Sequence, residues 1–343
     1  DWSSDVCSSD LFIKAISYFL PETFVTNADI VHDFPDWSEE KISQKIGIKK
    51  RYISINMTAG DMAERAANIL FEEHAIDRSS IDALILCTQS PDYFLPTTAC
   101  LLQDKLGLPT SVAAFDFNQG CSGFIYGLAI AKGFILSGVA SNVLLITSES
   151  YNKYIHPKDR GNRAIFSDAA AATLISSDGK LEIADFVLGT DGKGAKNLIL
   201  ETGAARHIDK RGIEIDPENG VFQSPDYLYM NGNEVFSFSL EMVPPLVHDV
   251  LKKNGLSQEK IDLFVFHQAN KHMLNFIRKG LSIDEEKFYL CLENIGNTVS
   301  STIPISLYHA LKENKINALQ DTILLAGFGV GYSWAGTVLH YKD

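Results

Sequence analysis

Two periods of apolar spacing alternate along the chain. Continuous apolar runs at 81–88, 112–117 and 143–147, and again at 261–266, 288–292 and 323–326, are bounded by polar or turn residues. They are too short for helices and too uninterrupted for strands with one wet face, so they predict strands buried on both sides. The segments between them repeat every 3.6 residues, as Met62, Ala66, Ile69 and Leu70 do, which predicts helices. Each half of the chain therefore reads helix, buried strand, helix, strand, helix, buried strand, the alternation of a mostly parallel sheet covered on both faces.

The two halves also match each other in register. "SSIDALILCTQS" resembles "EKIDLFVFHQAN", with Ile81 and Ile261 lying 180 positions apart. "NVLLITSES" matches "TILLAGFGV", and "DMAERAANILFEEH" matches "EMVPPLVHDVLKKN", at the same offset. A duplication follows, with an N-terminal half over 12–178 closed by "AAAATLISS" and a C-terminal half over 227–343 closed by "AGTVLHYKD". A single large doubly wound sheet is the alternative. The stretch 189–226 is rich in Gly, Asp, Asn and Pro, and places a connecting excursion at 179–226. Residues 1–11, "DWSSDVCSSDL", read as a fusion or sequencing scar ahead of a first strand.

Composition narrows the function. At 45% hydrophobic and 21% charged, the 343-residue chain is that of an ordinary globular protein. No apolar run approaches the ~20 residues of a membrane-spanning helix, which sets the expectation of a cytoplasmic protein without a membrane partner. A net charge of -13 argues against general nucleic-acid binding. Five cysteines without C-x-x-C spacing argue against a disulfide scaffold or a zinc site.

In sheets of this kind ligands gather at the carboxyl ends of strands, so the polar residues there are the candidates. Asn118-Gln119-Gly120-Cys121 follows one strand, His267-Gln268-Ala269-Asn270 another, and Glu293-Asn294-Ile295-Gly296-Asn297-Thr298 a third. Cys121 opens a helical run and lies opposite Ser301 in the repeat, and a helix start favours a thiolate and can cradle an oxyanion. Each residue has a plainer reading: Cys121 as a packed thiol, His267 as a structural histidine, Asn297 as part of a turn. Cys87 and Cys291 lie inside apolar strands and read as packing. A Cys-His-Asn set serves either a papain-like hydrolase, whose order and 146-residue Cys to His gap fit, or acyl transfer with carbon–carbon bond formation. The absent "C-[WY]" signature and the duplicated sheet speak against the hydrolase.

"GCSGF", "HQAN" and "GNTVSSTIP" together resemble the ketoacyl-acyl-carrier-protein synthase III family of thiolase-fold condensing enzymes. The resemblance runs through "LPETFVTNADI", "KIGIKKRY", "HPKDRGNRAIFSDAAAA", "MNGNEVF" and "GFGVGYSW". It implies a thiolase-like α/β fold of two duplicated halves, layered α-β-α-β-α, and a homodimer. It also implies catalysis by Cys121, His267 and Asn297, an oxyanion hole from the backbone N–H groups of Cys121 and Val330, and a gate at Phe328. The substrates implied are an acyl-CoA and malonyl-acyl carrier protein, joined by decarboxylative Claisen condensation without metal or other cofactor. Arg160 and Asn233 match residues at the CoA adenine and the pantetheine arm. Thiolases carry a second cysteine where Gly327-Phe328-Gly329-Val330-Gly331 stands, and elongating synthases a second histidine where Asn297 stands.

The departures bear on donor and acceptor. Lys41 stands where the family stacks a tryptophan on adenine, and Lys45 where an arginine meets CoA phosphate, leaving Lys45, Lys49, Lys50 and Arg51 as candidate phosphate contacts. Ser237 and His272 replace basic residues of the carrier-protein surface, which shifts docking to Lys271, Arg278 and Lys279. Other readings are an acyltransferase or secondary-pathway ketosynthase with a different donor or acceptor, and a silent partner subunit of a ketosynthase pair. The intact Cys121, His267 and Asn297 oppose the last.

Leu95 occupies a place where many members carry a phenylalanine that caps the acyl pocket of the partner subunit, and so predicts room for a primer longer than acetyl. Acyl-enzyme formation from medium-chain acyl-CoA should then match or exceed that from acetyl-CoA. A strong acetyl preference overturns the prediction.

Overall fold

The computed structural model describes residues 10–214, 222–316 and 321–342. Most of the 1–11 segment, including Cys7, lies outside the described residues. The first half comprises β1 (Phe12–Phe19), β2 (Phe24–Thr26), α1 (Asn27–Asp33), α2 (Glu39–Lys45), β3 (Lys50–Tyr52), α3 (Ala59–Glu73), β4 (Ala83–Cys87) and α4 (Thr98–Lys105). It continues through β5 (Ala113–Phe117), α5 (Gly123–Leu136), β6 (Val143–Glu149), α6 (Arg160–Arg163) and β7 (Ala169–Ser176). Short strands follow: β8 (Leu181–Ile183), β9 (Val187–Thr190), β10 (Leu198–Ile199) and β11 (Tyr229–Met230). The second half holds α7 (Gly232–Lys253), β12 (Leu263–Phe266), α8 (Lys271–Gly280), α9 (Thr302–Lys312), β13 (Thr322–Gly329) and β14 (Ser333–Tyr341).

Matching elements keep the 180-residue offset: β4 with β12, β6 with β13, and α5 with α9 to within one residue at the start. In each half a parallel pair, β4 with β6 and β12 with β13, is followed by an antiparallel closing strand, β7 or β14. The two sheets are continuous in hydrogen bonding, in the order β12-β13-β14-β8-β1-β7-β6-β4-β5. The join is narrow. β8 pairs with β14 along one edge and with β1 along the other through only Phe12↔Glu182 and Ile13↔Leu181.

Five layers result. α5 packs on β4, β6 and β7 from one side and on β13 and β14 from the other, while α9 packs on β1, β7 and β12. A helix between two sheets has no wet face, and the α5 sequence "GFIYGLAIAKGFIL" is accordingly apolar nearly all round. Phe124, Ile125, Leu128, Ile303 and Leu307 form the central core with Ala83, Ile85, Leu145, Val265 and Leu325. On the outer faces, α3 and α4 cover the first half and α7 with α8 the second. α3 turns only one face inward, through Met62, Ala63, Ala66, Ala67 and Leu70, and starts at a capping box between Thr58 and Asp61.

Two expectations need correction. The strand expected over 288–292 is reduced to a single parallel bridge, Phe264↔Phe288. The Gln268 carboxamide takes the place of the missing ladder: its Nε2 donates to the carbonyls of Phe266 and Tyr289, and its Oε1 accepts the Cys291 N–H at 2.8 Å. The segment 179–226, expected as an excursion, contributes β8 to the middle of the sheet, between β14 and β1, and β9 beside β14. Their patterns are only three and four residues long, and surrounding Gly and Asp obscure them.

Phe124 has no exposed surface and sits in the layer both halves share. Phe124→Ala should destabilise the protein by about 3–5 kcal/mol, read as a lower midpoint of denaturant unfolding.

Candidate active site

The carboxyl ends of β5, β12 and β13 converge on one buried cavity of about 100 Å³ whose wall includes Cys121, His267, Asn297, Phe328 and Gly329. Leu198, Met230, Val235 and Met273 supply its apolar lining. Cys121 is held in the turn between β5 and α5, closed by Gly123 N–H donating to Gly120 O at 2.8 Å. A Cβ on Gly120 would lie 2.4 Å from Val330 Cγ1, so glycine lets the turn press against the loop after β13.

His267 leaves the end of β12 with its backbone N–H bound to Ala326 O at 2.8 Å and its ring 2% exposed. Its Nδ1 lies 2.7 Å from Thr302 Oγ1, and that hydroxyl donates to Val299 O at 3.1 Å. The Thr302 oxygen therefore accepts from Nδ1–H, and Nε2 is left with a free lone pair. Burial lowers the His267 pKa to about 3, so the ring is neutral.

Asn297 is fixed at four points. Its backbone N–H donates to Ile165 O and its carbonyl accepts from Ser167 N–H, while Oδ1 accepts from Val299 N–H at 2.9 Å and Nδ2 donates to Ala269 O at 3.4 Å. Forming the Oδ1 bond puts Val299 at φ 56°. A β-branched residue in that region carries strain of order 1–3 kcal/mol, and the Val299 N–H held in this conformation orients the carboxamide through Oδ1.

Cys121 behaves differently from the helix-start expectation. Burial pushes its thiol up to about 12, with the nearby Glu149 adding to the rise, while backbone N–H groups of Val330 and of Cys121 itself work against it. Desolvation outweighs the helix start, so the resting thiol is protonated and needs an acceptor. Phe328, 1% exposed, stands edge-on to the His267 ring at 5.9 Å between centroids.

The family model described as 3-oxoacyl-[acyl-carrier-protein] synthase III matches residues 115–192, and the model of its C-terminal part matches 251–341. A beta-ketoacyl-[acyl-carrier-protein] synthase III of Clostridium perfringens is 34% identical over 322 residues, covering 94% of this chain and 96% of that protein. The chain belongs to the 3-oxoacyl-acyl-carrier-protein synthase III family. A crystal structure of a 3-oxoacyl-(acyl-carrier-protein) synthase III superposes with a TM-score of 0.94 at 44% identity, covering 97% of this chain and 100% of that one. The corresponding enzyme of Burkholderia xenovorans LB400 gives 0.89 at 34% identity, covering 97% and 94%.

The remaining candidates of this synthase III lie outside the cavity wall. Arg160, capped into α6 by Asp159, forms an ion pair with Asp36 and lies 5.2 Å over the Trp37 ring. Trp37 escaped the sequence reading because it precedes Lys41, the position inspected for an aromatic, by four residues. Asn233 is exposed in the first turn of α7, beside the cavity residue Gly232. Lys45 is exposed, and Lys49 is paired with Glu293. Arg51 is fully buried and spends its donors on Ala164 O, Asn27 Oδ1 and Ile48 O, so it is an internal tie and not a phosphate contact. Leu95 is 87% exposed on the surface of the single chain, next to exposed Tyr93 and Phe94. Arg278 is engaged by Ile283 O and Glu285, which leaves Lys271 and Lys279 as the exposed cations of α8. His272 packs against Phe236 and Phe276. Thr302 and Glu149 were also missed, since a threonine inside a helix start and an acid ending an apolar strand carry no motif.

A Cβ at Gly329 would sit 2.7 Å from Cys121 Sγ. Gly329→Ala should slow acylation of Cys121 on the order of 100-fold, measured as mass gain over time on folded protein, with overpacking lowering stability by about 1–3 kcal/mol.

Proposed function

We propose that the chain condenses an acyl-CoA primer with malonyl-acyl carrier protein to give 3-oxoacyl-acyl carrier protein, CoA and carbon dioxide, through an acyl-Cys121 intermediate. The observation that carries this reading is the convergence of a protonated thiol, a neutral imidazole with Nε2 free, and a fixed carboxamide in one small, largely apolar cavity.

His267 Nε2 takes the thiol proton as Cys121 attacks the thioester carbonyl. The oxygen that becomes negative is met by the N–H groups of Cys121 and Val330, which already face the sulfur. CoA departs as thiolate and takes that proton from His267 Nε2. A solvent proton enters on Nε2 as negative charge develops on the oxygen of the malonyl thioester with loss of carbon dioxide, and His267 then donates to that oxygen together with the second Nδ2 hydrogen of Asn297. The enolate carbon attacks the acyl-enzyme, and Cys121 leaves as thiolate and recovers the proton from His267. One proton is consumed overall, as decarboxylative condensation requires, and no step calls for a metal or redox cofactor.

The donor reaches the thiol from the side of Gly232 and Asn233. Arg160 and Trp37 at the protein surface supply a cation and an aromatic plane for the CoA adenine, the role expected at Lys41, and Lys45 and Lys49 supply cations for phosphate. Lys271 and Lys279 are the cations offered to an acidic carrier protein. In a homodimer Leu95 meets the acyl pocket of the second copy.

Intact-mass measurement after incubation with a panel of acyl-CoAs tests the scheme. A mass gain is expected, absent in Cys121→Ala and discharged as a 3-oxoacyl product on adding malonyl-acyl carrier protein. His267→Ala should lower condensation by about a hundredfold or more. Trp37→Ala should raise the acyl-CoA needed for half-acylation roughly tenfold. No acylation by any donor overturns the enzymatic reading, and acylation without decarboxylation transfers the acyl group to a different acceptor class.

A further inference from the structure

The steps above leave an acidic side chain, buried near the nucleophile, without a task. Glu149 ends β6 with no exposed surface. Its carboxyl partners are all neutral: Gln89 N–H at 3.2 and 3.1 Å, Ser90 Oγ at 2.8 Å and Ser300 Oγ at 3.1 Å. A carboxyl usually enters a protein interior beside a cation. The titratable groups around this one are Cys121 at the start of α5, Cys87 on β4, Tyr151 and Tyr154 after β6, and Asp168 before β7. Each can only add negative charge.

Two of its partners bear on the nucleophile's turn from opposite ends. Gln89 Oε1 lies 2.6 Å from where a Gly120 Cβ would be, and Ser300 Cβ lies 3.6 Å from where a Gly123 Cβ would be. Gln89 is fixed in turn by the Tyr151 hydroxyl on its Oε1 and by its own Nε2 donating to Asn118. Ser300 belongs to the loop that carries Asn297, and its neighbour Ser301 is bound to Thr147 on β6. One carboxyl therefore ties together the ends of β4 and β6 and the Asn297 loop, around the four residues 120–123.

We propose that Glu149 is a positioning residue for the nucleophile: through Gln89 and Ser300 it clamps the Cys121 turn, and its negative charge, when present, opposes thiolate formation. The inference rests on Cys121 as the reactive thiol. Burial raises Glu149 to about 8, against hydrogen bonds from Ser90, Gln89 and Ser300 that favour its charged form. Below that pH the acid is neutral and one of its oxygens donates to a serine hydroxyl. Above it, both hydroxyls turn to donate and a full charge stands next to Cys121. Ionisation of the thiol then rises less steeply with pH than that of a cysteine without such a neighbour.

Alkylation by iodoacetamide, followed on the Cys121 peptide from neutral to alkaline pH, tests this without any substrate, so its outcome is independent of donor and acceptor identity. Exposed Cys100 serves as internal reference. Glu149→Gln should move the Cys121 profile to lower pH, with alkylation roughly tenfold faster at alkaline pH, the equivalent of one pKa step. Ser300→Ala weakens the hold on the carboxylate and should move the profile the same way by less, and Ser300→Thr should restore it. A Glu149→Gln profile that coincides with wild type, or moves to higher pH, overturns the proposal. Should Glu149→Gln unfold, Cys87 and Cys291 will react alongside Cys121, and the serine variants decide. An unchanged profile in Ser300→Ala then overturns it.

Discussion

Burial of three polar side chains around one small cavity governs the rest of this molecule. In water a cysteine, a histidine and an asparagine would need no special support. Moved into a space lined by Leu198, Met230, Val235 and Phe328, the thiol holds its proton, the resting imidazole is neutral, and the carboxamide needs fixed partners. The scaffold answers each demand separately. Thr302 accepts the one ring hydrogen of His267, Val299 yields its backbone geometry to Asn297, and Val330 aims an N–H at the sulfur.

The duplication supplies these answers from both halves. Cys121 comes from the first part of the chain, and His267, Asn297, Thr302 and Val330 from the second, so neither part alone brings these side chains together. The central helices α5 and α9 bring the two together, and the core they share is where the repeats have no solvent face left. Stability and site assembly are accordingly one problem here.

Much of this was legible in the residues. Continuous apolar runs located β4, β5, β6, β12 and β13, and the polar residues after two of those runs meet in the cavity with Asn297, which follows the 288–292 run that forms no strand. Illegible were features in which a side chain substitutes for a backbone or a neighbour. Gln268 sits in a motif that draws attention to His267, yet it replaces a strand ladder. Trp37 stands four residues from the position inspected for an aromatic. Glu149 closes a run of apolar residues, where an alternating or periodic pattern has nothing to say about a hydrogen-bonded acid.

The Gln268 side chain has a consequence for how copies of the protein can meet. A sheet has two outer edges, and an open edge is a template for another strand. At the β12 end the carboxamide occupies the carbonyls of Phe266 and Tyr289 and the Cys291 N–H, so the chain there is sealed by its own amide. At the opposite end β5 pairs with β4 alone among the described strands. Strand addition at β5 would extend the sheet from that end and not from the β12 end.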